Sequence, residues 1–184
     1  MRIGDRFWVL LGAVLFISLG AAGADTLPTR EEALGMLFPG ASIRSERIFL
    51  TKQQLEKIVE LAKVDAPSSL IVRYSVFRNE EEIGRAYPDT HVVRTKQETL
   101  LICLNKSGEV QRVEVTAFFE PLEYLVDKSW YEQFQGKVLS PEMNLQRAIR
   151  PVAGATLTAR SATQAVRRVL AIDQILKEIR GNMP

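Results

Sequence analysis

One cysteine and one histidine are all that 184 residues supply. With Cys103 alone there is no internal disulfide and no Cys-based zinc site. With His91 alone there is no basis for a histidine-cluster metal centre or for a Cys–His catalytic pair, so neither metal ligands nor catalytic residues are expected. Cys103 itself sits in the apolar run "TLLICLNKSG" and reads as a buried, inert thiol. An excess of charge of one sign is also missing. The 24 basic residues are dispersed among 22 acidic ones for a net charge of +2, too little to draw nucleic acid by long-range electrostatics. There is no internal repeat and no low-complexity linker. Neither the G-x-x-x-x-G-K-[ST] phosphate loop nor the G-x-G-x-x-G dinucleotide fingerprint occurs.

What is present is the composition of a globular chain, 46% hydrophobic and 25% charged, long enough for one folded unit with a proper core and too short for two ordinary ones. Its N-terminus stands apart. Arg2 and Arg6 precede an almost wholly apolar stretch from Phe7 to Ala22, and Ala22-Gly23-Ala24 offers a small-x-small cleavage site. Residues 1–24 therefore read as a secretory signal peptide, with 25–184 as the mature single domain. The rival reading is an uncleaved N-terminal helix that anchors the domain. Either places the folded part outside the cytoplasmic membrane, in the periplasm or its equivalent. Cleavage would remove two Arg and one Asp and leave 22 basic and 21 acidic residues.

Along the mature chain, Thr29 with Glu32 and Thr51 with Gln54 spell two capping boxes, each opening a short amphipathic helix. The first helix should stop at Pro39-Gly40. "SIRSERIFL" between them is a weak strand. The centre is β-rich: "SLIVRYSVFR" alternates, "EIGRAYPDTHVVRTK" reads as a strand with a turn at Pro88-Asp89, and "TLLICLNKSGEVQRVEVTAFF" reads as a hairpin turning at Lys106-Ser107-Gly108, its second arm wet on one face. "EPLEYLVDKSWYEQFQGK" reads as helical or irregular, with Tyr124, Trp130, Tyr131 and Phe134 available to cover one end of the sheet. The last helix carries an apolar stripe from Ala162 to Ile179, places Arg167, Arg168 and Lys177 in water, and stops at Gly181. The fold expected is α+β, an antiparallel sheet packed with helices, with an amphipathic helix at the C-terminus.

The informative stretch is "PVAGATLTARSAT", Pro151 to Thr163. Small residues (Ala153, Gly154, Ala155) precede hydroxyls at Thr156 and Thr158 just ahead of that helix. Gly154 tolerates backbone angles closed to other residues, and the positive end of a helix dipole favours an anion beside it. A phosphate suits the place; so does the plain reading of Thr158 or Ser161 as a helix cap.

"AGATLTARSATQAV" followed by an amphipathic helix resembles the flavinylation motif of FMN-binding-domain proteins, the family that includes the flavin-carrying subunits of the sodium-pumping NADH:quinone reductase and the Rnf-type electron-transport complex. "REEALGMLFPGA", "THVVRTKQETLLICLNKSGEVQRVEV", "EPLEYL" and "WYEQFQGK" resemble the exported, single-domain members, so most of the mature chain is covered. The resemblance implies a covalent FMN on Thr156 through a phosphoester bond, installed by a flavin transferase. Gly154, Ala155 and Thr158 would stand beside it. The family segment matched by "FFEPLEYL" lies near the flavin, which makes Glu120, Leu122 and Tyr124 candidates for contact. Arg150 stands where the motif carries an acidic residue, and Ala153 where it carries a hydroxyl; a guanidinium at position 150 would suit the phosphate. His91 and Arg94 in "HVVRT" face either the phosphate or, by the preferred reading, the solvent. The function implied is extracytoplasmic electron transfer, as a carrier for redox partner proteins or a membrane electron-transport complex rather than as an enzyme. The alternatives are a non-redox exported scaffold or docking module and a non-covalent FMN binder.

Overall fold

The computed structural model describes residues 26–181; the signal peptide expected over residues 1–24 lies outside them. The strongest local signals produce the elements they announce. Thr29 caps α1 (Arg30–Leu37) and Thr51 caps α2 (Lys52–Ala62), each in a reciprocal capping box with Glu32 or Gln54. Five strands form a meander, the first between the two helices and the other four after α2: β1 (Ser42–Phe49), β2 (Leu70–Arg78), β3 (Glu81–Val92), β4 (Gln97–Asn105) and β5 (Val110–Phe118), antiparallel throughout in the order β1-β2-β3-β4-β5. The β4–β5 hairpin turns where the sequence placed it, with Gly108 at φ +94°. Two 3₁₀ segments, Leu122–Tyr124 and Lys128–Phe134, lead towards the C-terminal helix α3 (Thr156–Gly181). The chain is thus of the α+β class.

Alternation divides the sheet into two faces. Leu100, Ile102 and Leu104 of β4 and Val113 and Val115 of β5 point to one of them, where α3, α2 and the 128–134 segment enclose the main core. Trp130 packs edge-on against Tyr131 and Phe134 there, at centroid distances of 5.1 and 5.4 Å. Leu101, Cys103, Ala86 and Val76 point to the other face and meet Ala33 and Leu34 of α1 and Phe38 just after it. Burial pushes the Cys103 thiol well up, so it stays protonated and inert.

Four expectations need correction. No turn falls at Pro88-Asp89: β3 runs straight through, Pro88 opposite Leu101 and Asp89 opposite Leu100. Pairing with β2 ends at Ala86, so beyond it one side of β3 is an edge, where a residue without an N–H is tolerated. The second arm of the hairpin is not simply wet on one face, because Glu114 is buried and held by Arg112 and Lys128. α3 begins at Thr156, six residues before the expected start, since Ala155 and Ala159 extend the buried small-residue stripe backwards. Finally, Arg167 and Arg168 do not face water. Arg167 donates to the carbonyls of Ala62, Ser140 and Met143 at 2.7 to 2.9 Å, and Arg168 clasps both oxygens of Asp89. α3 is wedged between α2 and the sheet, and these two cations are satisfied inside the fold. Among the described residues no helix is long and apolar enough to cross a membrane.

Candidate functional site

The approach to α3 is built from small residues for a geometric reason. Gly154 sits at φ +80°, which favours glycine. A Cβ there would meet nothing within 4 Å, so the backbone angle and not the space demands it. Ala155 follows, buried, and its carbonyl accepts the first α-helical hydrogen bond from Ala159 at 3.0 Å. Ala155 is therefore the N-cap and brings no side-chain acceptor. Among the described residues the N–H groups of Thr156, Leu157 and Thr158 have no hydrogen-bond partner, which leaves the positive end of a 26-residue helix open.

The two threonines divide their work. Thr158 is 1% exposed and its Oγ1 donates to the carbonyl of Tyr124 at 2.7 Å; it fastens the helix to the 122–124 turn. Thr156 is exposed, with Oγ1 donating only to the carbonyl of Val152 at 3.2 Å. It stands between two clefts. The smaller, about 150 Å³, has Arg94 and Tyr124 as its far wall. The other, about 310 Å³, includes Gln146, Pro151 and Arg160. Two guanidinium-bearing residues thus flank one open hydroxyl.

Arg94 is held in place by its surroundings. Its guanidinium lies over the ring of Tyr124, 4.9 Å from the centroid. One carboxylate oxygen of Glu120 accepts the N–H groups of Arg94, Thr95 and Lys96 at 3.1, 2.7 and 2.8 Å. Those bonds, led by the one from Thr95, hold the Glu120 carboxyl below the usual range. Glu120 therefore positions the turn that carries Arg94. Arg150 has a different part: its carbonyl accepts from Trp130 Nε1 at 2.7 Å and its N–H donates to Gln133 at 2.9 Å, while its side chain is exposed and lines neither cleft. Of the residues the sequence singled out, Gly154, Ala155, Thr156, Thr158 and Tyr124 meet at one place, Glu120 supports it from behind, and Arg150 is set aside.

Arg160 went unnoticed in the sequence. It lies one turn beyond Thr156, on the same helix face, but that relation exists only once the helix is known to start at Thr156. His91 is the other surprise. It faces neither solvent nor the small cleft: Nδ1 lies 3.0 Å from Asp89 and Nε2 3.0 Å from Glu98, with Tyr131 donating to the second oxygen of Glu98 at 3.0 Å. This cluster edges a wider cleft of about 550 Å³ where β2 and β3 splay apart under α3. Asp89, His91 and Arg168 there are already paired with one another or with Glu98.

Chemically, the Thr156 site suits an anion of modest charge attached to or resting against the hydroxyl. Open N–H groups, two guanidinium groups and an accessible oxygen are the donor set of a phosphate ester, and the clefts beside them are small for a complete tricyclic ligand. No protein-family model and no curated protein matches this chain.

Proposed function

We propose that the protein is an extracytoplasmic electron-transfer flavoprotein that carries FMN through a phosphoester on Thr156. The observation that carries the reading is the Thr156 hydroxyl itself, exposed at the first position of α3 beside three unpartnered N–H groups, in a stretch that resembles a flavinylation motif. A phosphodiester on that oxygen bears one negative charge. The N–H groups of the first turn, Arg94 and Arg160 would hold it, and Gly154 would let the backbone turn away from it. The flavin would supply one- and two-electron chemistry; the chain would supply the tether, the wall formed by Tyr124 and Arg94, and retention outside the cytoplasm, where a free nucleotide diffuses away. The shallow clefts favour a tethered ring over one held by a pocket alone. A flavin transferase would be required for maturation, and partner oxidoreductases would supply and remove electrons, so the chain is a carrier and not itself an enzyme.

The test is intact-protein mass spectrometry under denaturing conditions, on exported protein made beside a flavin transferase. A gain of FMN less water, absent from Thr156→Ala, is the expected result. An unmodified but yellow protein that bleaches on denaturation would point to non-covalent FMN. A colourless, unmodified one would leave a scaffold.

A further inference from the structure

The end of the domain that carries Thr156 also carries surface that the flavin reading does not use. Three segments converge there: the turn after β3, the stretch from the end of β5 through the 122–124 turn, and the first turn of α3. They are joined by the Glu120 bonds to residues 94–96, the Phe119 N–H to Gln97 bond and the Thr158 to Tyr124 bond. Phe119 is 65% exposed, Leu122 73% and Leu157 43%, large apolar side chains left in water on one end. Around them stand three exposed cations, Arg94, Lys96 and Arg160, none of which forms a salt bridge among the described residues. Exposed cations elsewhere are commonly matched, as Arg44 is by Glu80, Lys57 by Glu178 and Lys106 by Glu81.

We propose that this end is a docking face for a soluble, acidic redox protein. An apolar centre with a charged rim is the anatomy of a transient protein interface, where the rim governs encounter and the centre governs contact. Unpaired positive charge selects a partner with a negative patch. Glu123, exposed between Leu122 and Tyr124, is one acidic group among several unpaired cations, so the face stays positive on balance, and vesicles of anionic lipid serve as the contrasting probe. The redox sense of this inference rests on the flavin reading above; the docking does not.

The experiment therefore uses flavin-free protein. ¹⁵N-labelled Thr156→Ala protein is titrated at low ionic strength with plant-type ferredoxin as the acidic probe, and separately with the basic protein cytochrome c. The expected result is amide shifts confined to residues 94–96, 119–124 and 157–160 with ferredoxin, weakening with salt, and none there with cytochrome c. Adding Arg94→Glu and Arg160→Glu should weaken ferredoxin binding about tenfold or more, while Arg44→Glu should not; the same spectra report whether each variant is folded. Shifts on another face, no shifts, or a response only to phosphatidylglycerol vesicles would overturn the proposal. If docking fails while Thr156 gains its mass, the flavin reading stands without this partner; if docking holds and the mass gain fails, the reverse.

Discussion

The hydroxyl of Thr158 reaches the carbonyl of Tyr124 at 2.7 Å, whereas Thr156, two residues earlier, turns its own outward. Two residues on a helix rotate a side chain by roughly 200°, so one spacing sorts a fastener from an accessible oxygen. Thr158→Val keeps the shape and leaves the Tyr124 carbonyl without its donor, at an expected cost of about 1–2 kcal/mol. Thr156→Val, at an exposed position, should cost about 0.5 kcal/mol or less. Urea unfolding of both variants checks the order. Mass spectrometry beside the transferase should give the opposite ranking, with attachment lost at Thr156→Val and kept at Thr158→Val.

Gly154 separates backbone strain from crowding. Its φ of +80° is costly for an L-residue, yet a Cβ would touch nothing within 4 Å. Gly154→Ala should therefore destabilise by about 1–2 kcal/mol, the left-handed penalty alone. Gly108→Ala adds a clash to a φ of +94°, since its Cβ would fall 2.5 Å from Lys177 Nζ and 3.1 Å from Asp173 Oδ2. Thermal unfolding should show a larger loss at Gly108; equal losses would mean that the lysine tip moves aside freely.

Much of the scaffold is legible because its cues are local. Capping boxes, the alternation of β2, the apolar run of β4 and the 106–108 turn each act within a few residues. The candidate acceptor Thr156 and the small residues before it stand out for the same reason. The start of α3 was hidden because "TLTARSAT" reads as polar, while its alanines pack inward. Arg167, Arg168 and His91 misled for a deeper reason. A charged residue reads as surface until its partner is known, and the partners lie far away in the chain, as Arg168 is 79 residues from Asp89. No periodicity carries that information, and the approach of Arg94 to Tyr124 is equally non-local.

His91 gives the fold a pH dependence. Burial opposes its charge, but hydrogen bonds to Asp89 and Glu98 outweigh that and raise its pKa to about 8 from the ordinary 6.5. The stabilisation, about 2 kcal/mol, is fully present below pH 6.5 and is lost as pH rises through 8. Asp89 shows the opposite sign: burial pushes it up, yet bonds from His91 and Arg168 prevail and bring it to about 2, so its contribution is present above pH 3.8 and is lost on acidification towards 2. Arg168 from α3 and Tyr131, through Glu98, complete the polar surroundings of the ring. Urea midpoints should fall between pH 6.5 and 9. His91→Gln should be less stable at pH 6.5 and flatten that slope; an unchanged slope would assign it to other groups.

Asp173 joins α3 to the sheet through charges buried on both sides. Its carboxylate accepts from Arg85 Nε at 2.5 Å and from the Tyr87 hydroxyl at 2.8 Å, with Lys177 at 3.4 Å from its outer oxygen. Arg85 and Asp173 are each about 5% exposed or less. Removing one partner takes away the main counter-charge of a buried group and leaves only Glu82 beside Arg85, or Tyr87 and Lys177 beside Asp173, so Asp173→Ala and Arg85→Ala should each cost about 3 kcal/mol. Replacing both, as Arg85→Met with Asp173→Leu, removes the buried pair together and should recover part of that loss, because desolvation offsets much of the attraction in the native pair, while Glu82 and Lys177 can turn to solvent. Tyr87 limits the recovery, since its hydroxyl would lose its acceptor. A double-mutant cycle followed by urea unfolding measures the balance. If the double variant is as unstable as the sum of the single ones, Arg85 and Asp173 act independently, and other contacts hold α3 in register over β3.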